Sequence, residues 1–134
     1  MSEAEREYAL ETWTIHADLD PTGALVPPIY PAVGYVRPGL DEPAEFIYSR
    51  RDNPTRQALE QMLARLHGAT RAVAFGSGMA AVTAVGQLLP AGSHVLLPDD
   101  VYGNTHRLYT LILPEQQIEV DFVDFTNLDA VRSK

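Results

Sequence analysis

Hydrophobic and polar positions change rhythm near residue 53. Residues 1–53 carry six of the ten prolines and little periodicity, which reads as an extended, irregular arm with no core of its own. Residues 54–134 alternate between helical and strand periods. Asn53 suits a helix N-cap and Pro54 the first helical position. Leu59, Met62, Leu63 and Leu66 then form an apolar stripe, and Gly68 suits the stop. Residues 72–75 predict a short buried strand, 79–89 a helix, and Pro90-Ala91-Gly92 a turn. A strand over 94–98, a helix over 104–113 and a strand over 118–123 follow, with Thr126 as a cap for a last short helix starting at Asn127.

Alternating β and α elements imply a parallel sheet covered by helices, so the fold class is α/β. There is no internal repeat and no low-complexity segment. Three short parallel strands leave two unpaired edges, and a last helix of about eight residues is below the ~12 at which an isolated helix becomes marginal. Residues 54–134 therefore read as an incomplete α/β domain.

Composition narrows the function classes. A length of 134 residues accommodates one ordinary domain. Acidic residues outnumber Lys plus Arg by 18 to 10, for a net charge of -8, and the basic residues are scattered, which counts against a nucleic-acid surface. Without cysteine there are no disulfides and no thiolate metal sites. His16, His67 and His94 lack metal-ligand spacing, so no metal is expected, and His106 has no partner that the sequence identifies. No apolar run approaches the ~20 residues that span a bilayer, and the acidic N-terminus lacks the apolar core of a signal peptide. A soluble cytoplasmic protein is the expectation.

Chemistry concentrates at Arg71-Ala-Val-Ala-Phe-Gly-Ser-Gly-Met, where an apolar run breaks at Gly76 and Gly78 and passes into a helix. The glycines permit a tight turn and close approach of a ligand, and the first helical turn offers free N–H groups to an anion such as phosphate. A tight turn without a ligand is the other reading of the same corner.

Two neighbouring segments bear on that choice: Tyr48-Ser-Arg-Arg-Asp-Asn-Pro-Thr-Arg upstream and Asp99-Asp-Val-Tyr-Gly-Asn-Thr-His-Arg downstream. With Gly76-Ser-Gly-Met, they resemble the transsulfuration, or Cys/Met-metabolism, family of pyridoxal-phosphate (PLP) enzymes, from about Thr14 to the end of the chain. Val26-Pro-Pro-Ile-Tyr and Ala80-Ala-Val resemble the family as well. The resemblance implies the first βαβαβ portion of a fold-type I, aspartate-aminotransferase-like large domain, preceded by an arm that clasps a second subunit. It implies pyridoxal 5'-phosphate as cofactor, a sulfur amino acid as substrate and a homo-oligomer.

By the same resemblance, the backbone amides of Gly78 and Met79 bind the cofactor phosphate. Tyr48 and Arg50 reach a neighbouring subunit's phosphate. Tyr102 stacks on the pyridine ring and takes part in proton exchange, as the catalytic residue within this segment. Arg107 faces the distal part of the substrate, and the Tyr-Gly-x-Thr-x-Arg pattern leans towards cystathionine γ-synthase or γ-lyase. Arg51 and Arg56 read as solvated or surface-paired, and Tyr8, Tyr30, Tyr35 and Tyr109 as packing residues.

Two features depart from the family pattern. PLP enzymes need a Schiff-base lysine and a carboxylate for the pyridinium nitrogen. In this family both come from later in the chain; Lys134 is the one lysine here and does not match that lysine motif. Pro31-Ala-Val-Gly also replaces a polar Ser/Thr-rich segment. The leading reading is the N-terminal portion of a transsulfuration enzyme performing β- or γ-elimination or replacement. The alternatives are a truncated, non-catalytic remnant that associates with a full-length homologue and a nucleotide-binding βαβ module. The module lacks the Walker lysine and the dinucleotide spacing.

Overall fold

A computed structural model describes residues 10–15 and 23–134. Tyr8 and His16 lie outside the described residues. The chain forms two compact units, one ending at Ala74 and the other beginning at Phe75, whereas the change in sequence character falls at residue 53.

In the first unit, the expected irregular arm contains a short helix, α1 (Leu10–Ile15), which rests on α2 (Pro54–Leu66). Six residues cannot hold a helix alone in water, so that contact is what sustains it. Both ends of α2 follow from local sequence. Asn53 adopts an extended backbone, its side chain accepts from the Thr55 N–H, and Pro54 occupies the first turn. At the other end the Gly68 N–H donates to Arg65 O at 3.0 Å and the Ala69 N–H to Ala64 O at 2.8 Å. This double closure places Gly68 at φ +59°, where a side chain would be strained.

The rest of the first unit's order comes from chain pairing. Gly34 and Tyr48 form an antiparallel bridge, flanked by Tyr35 N–H donating to Ile47 O and Ser49 N–H donating to Val33 O. Pro31-Ala-Val-Gly therefore serves as the pairing partner of the Tyr48 segment. The expected strand over 72–75 is a correction: it belongs to no ladder among the described residues, and the Ala74 N–H donates instead to the Glu60 carboxylate at 2.8 Å. An apolar run becomes a strand only where a neighbouring strand completes its hydrogen bonds.

The second unit holds a parallel pair, β1 (His94–Pro98) and β2 (Glu119–Val123), with His94 opposite Glu119 and Pro98 opposite Val123. Before the pair comes α3 (Gly78–Gly86), three residues shorter at its end than the 79–89 expected. The turn Pro90–Ser93 closes with Ser93 N–H to Pro90 O and Gly92 at φ +85°.

The helix expected over 104–113 is present but changes type: α4 (Gly103–Arg107), then a π segment (Leu108–Ile112), then a 3-10 turn (Leu113–Gln116). Pro114 has no N–H to continue the α ladder, and Leu113 N–H reaches back to Leu108 O. The last helix, α5 (Leu128–Arg132), is capped by Asn127 rather than by Thr126. Thr126 instead donates from both its N–H and its hydroxyl to Asp124.

The second unit's core is Leu108, Tyr109, Leu113 and Ile118, with Met79, Val82, Leu89, Val95, Leu97, Val120 and Phe122 packed around it. The widened helix thus turns its inner residues onto β1, β2 and the start of α3.

Candidate functional site

The start of α3 is built so that two amides remain free. Ser77 adopts an extended backbone and caps the helix. Its hydroxyl accepts from Ala80 N–H at 3.1 Å and its carbonyl from Ala81 N–H at 3.2 Å. The third and fourth helical amides are thereby satisfied. Gly78 and Met79, the first and second helical positions, have no intrahelical acceptor within reach. Their N–H groups stand at the positive end of a nine-residue helix.

A Cβ built on Gly76 or on Gly78 would meet nothing within 4 Å. Neither glycine has a positive φ, so the turn that they permit uses a backbone open to other residues as well. The space beside both α carbons is open.

Tyr102 follows β1 at its carboxyl end and occupies the N-cap position of α4. It is 67% exposed, and its hydroxyl accepts from the Asn104 side-chain amide at 3.1 Å. One turn into α4, the Thr105 hydroxyl lies 3.8 Å from the Met79 sulfur, which ties the first turn of α4 to the first turn of α3. Gly78, Met79 and Tyr102 are therefore assembled by packing within one unit. Arg107 ends α4, exposed, with no ion-pair partner among the described residues.

Tyr48 and Arg50 belong to the first unit and lie together: the Arg50 guanidinium sits 4.8 Å from the Tyr48 ring centroid. Arg50 has no carboxylate partner among the described residues, so its planar donor fork is open to an anion. Its neighbours differ. Arg51 pairs with Asp52 at 3.0 Å, and Arg56 pairs with Glu60 at 3.6 Å and donates to Arg51 O. Surface pairing of Arg51 and Arg56 was the expectation. Tyr109 is a buried packing residue, also as expected.

Several contacts were not anticipated from sequence. Asp121 receives His94 Nε2 at 3.0 Å and Lys134 Nζ at 3.2 Å. The Lys134 hydrogen bond, then the His94 one, hold its carboxyl below the ordinary carboxylate range. The hydrogen bonds from Thr126 do the same for Asp124. His106, for which sequence offered no partner, stacks on Phe122 with ring centroids 4.4 Å apart. The His94–Asp121 contact follows from the register of β1 and β2 and the His106–Phe122 stack from α4 packing on β2, neither of which sequence spacing signals, whereas Asp124–Thr126 is a local turn contact. Among the described residues, no three His, Asp or Glu gather as metal ligands, and no helix is long and apolar enough to cross a membrane.

The family described as Cys/Met metabolism PLP-dependent enzyme matches residues 11–134. The chain belongs to this family. It is 42% identical over 130 residues to a probable cystathionine γ-synthase of Herpetosiphon aurantiacus, covering 95% of this chain and 41% of the relative. It is 43% identical over 128 residues to a cystathionine β-lyase of Lactococcus lactis, covering 93% of this chain and 34% of the relative. The crystal structure of cystathionine γ-lyase from Lactobacillus plantarum complexed with L-serine superposes with a TM-score of 0.85 at 36% identity. That match covers 94% of this chain and 34% of the solved one. The chain thus spans well under half the length of the relatives it matches, and it carries part of a fold-type I PLP domain.

Its residues fit the family's cofactor. PLP carries a phosphate and a flat pyridine ring. The start of α3 offers two amides with no acceptor among the described residues, beside glycines whose α carbons face open space, and the adjacent start of α4 offers an exposed aromatic ring.

Proposed function

We propose that this chain supplies the phosphate and ring contacts of a PLP-dependent transsulfuration enzyme of the cystathionine γ-synthase/γ-lyase type. The substrate class is sulfur-containing amino acids, and the reaction β- or γ-elimination or replacement. PLP, once bound, withdraws electrons from the substrate Cα and makes its proton labile. The chain's own residues bind and orient. The Gly78 and Met79 amides hold the phosphate, contributing about 0.3–2 kcal/mol through the helix start. Tyr102 would offer its ring as a platform for the pyridine and its hydroxyl as a proton carrier. Arg107 contacts the distal polar end of the substrate.

Tyr48 and Arg50, on the arm over 1–53, hold a phosphate oxygen of a second subunit's cofactor, so the working form is a homo-oligomer in the cytoplasm. The observation that carries this reading is the pair of amides left free at α3 by the Ser77 cap, beside an exposed Tyr102. The Schiff-base lysine comes from the remaining length that the relatives possess.

The test is a protein joining this segment to that remaining length. With PLP it should show a visible absorption band and release a 2-oxo acid from cystathionine, and Tyr102→Phe should lower kcat more than it raises KM. Absence of the band with added PLP would overturn the proposal.

A further inference from the structure

We propose that Asn53 is the positioning residue for Tyr48 and Arg50, and that its two side-chain atoms do separate jobs. The Oδ1 atom starts a helix by accepting the Thr55 N–H at 2.8 Å. The Nδ2 atom faces three acceptors drawn from three stretches of the arm: Tyr30 O at 3.0 Å, Ser49 Oγ at 3.1 Å and the Tyr35 hydroxyl at 3.3 Å. An amide has two hydrogens, so one of them is shared among these partners.

Two of the partners lead to the Tyr48–Arg50 segment, and the third ties the arm to α2. Ser49 lies between the two residues, and its hydroxyl donates onward to Ala32 O. The Tyr35 N–H donates to Ile47 O at 3.1 Å, one residue before Tyr48. Tyr30 is held from the other side as well, its N–H donating to the Thr55 hydroxyl at 2.9 Å. The carbonyl of Tyr48 accepts from both Arg51 and Asp52, which turns the chain back towards Asn53. One half-buried carboxamide thus fixes the segment to the first turn of α2, a rigid element.

The consequence is mechanical. An exposed arginine keeps most of its rotamer freedom, and ordering it on an anion has an entropic cost. Fixing the backbone on both sides of Arg50 removes part of that cost in advance. Aspartate caps a helix equally well but has no donor to offer the arm, and serine has a single O–H on a shorter side chain, whereas asparagine supplies a carbonyl and two N–H donors. This assignment rests on reading Tyr48 and Arg50 as phosphate ligands, and two separate readouts tell a failure of one from a failure of the other.

Amide hydrogen exchange is measured on the full chain for wild type, Asn53→Ser and Asn53→Ala. Asn53→Ser should leave the Thr55 amide and the helical signal of α2 unchanged while exchange at Tyr35 and Ser49 rises by about tenfold. Asn53→Ala should loosen both. Wild-type exchange at Tyr35 and Ser49 in the serine variant would overturn the proposal. Loss of α2 in that variant would overturn it too, because cap and arm would not be separable.

The second readout is the affinity for inorganic phosphate of Arg50→Gln, Asn53→Ser and the double variant. The double variant should bind no more weakly than Arg50→Gln alone, since Asn53 acts through Arg50. Additive losses would contradict the positioning role. An Arg50→Gln variant that binds phosphate as wild type does would instead remove the phosphate reading of Arg50.

Discussion

Asp121 shows how much a single side chain depends on the folded register. It lies opposite Leu96 in the parallel pair, and from there it meets His94 on β1 and Lys134 beyond α5. Its lowered folded-state pKa sets the sign of a pH effect. The stabilising contribution is complete above the ordinary carboxylate value of 3.8 and is lost as pH falls through the lower folded value. Asp121→Asn should therefore unfold more easily than wild type at neutral pH, with the difference closing in acid below pH 3.8. Urea unfolding across that range checks it; a gap that persists at the acid end would show that Asp121 acts through packing. The candidate site residues were picked out for a different reason. Gly78 and Met79 lie at a helix start signalled by local sequence, and Tyr102 was pointed to by the family resemblance. The Asp121–His94 contact depends on strand register and the stack of His106 on Phe122 on how α4 packs against β2, and no local pattern encodes either.

At the scale of elements, α2 was readable because both ends are punctuated within a few residues, by Asn53-Pro54 and by Gly68. The run at 71–75 has the apolar character of a strand but finds no ladder, since pairing is a property of two segments. The helix from Gly103 was readable as a helix, but its π and 3-10 portions follow from Pro114 acting back along the ladder. That irregular helix presses Leu113, 1% exposed, onto the end of α3. A Cβ on Gly86 would stand 3.0 Å from Leu113 Cδ1 and 3.4 Å from Cδ2. Alanine gains up to ~1 kcal/mol of helix propensity, less at a helix end, whereas overpacking costs about 1–3 kcal/mol. Because Leu113 is enclosed by Leu108, Tyr109 and Ile118, it cannot give way. Gly86→Ala should thus destabilise by about 1 kcal/mol in denaturant unfolding. A more stable variant would mean that Leu113 has room to move.

For the whole molecule, the main physical feature is how much apolar surface its small cores leave uncovered. Leu25, Ile29, Val36 and Leu40 of the arm are each at least 76% exposed, and the two-stranded sheet leaves both outer edges unpaired among the described residues. Surfaces of that kind require a covering partner, which agrees with a chain spanning 41% and 34% of two relatives that it matches. The fold was legible from motif order. The proposed cofactor contacts are different, because the free amides of α3 arise from local capping by Ser77 within one unit.

The most direct measurement is an NMR titration of the backbone amides with pyridoxine 5'-phosphate, which has no aldehyde to react with Lys134, set against unphosphorylated pyridoxine. The Gly78 and Met79 resonances should move with the phosphorylated compound, with the Tyr102 ring signals following, and should barely respond to pyridoxine. Equal responses to both compounds, or shifts confined to residues away from the start of α3, would contradict the assignment of these amides to the cofactor phosphate.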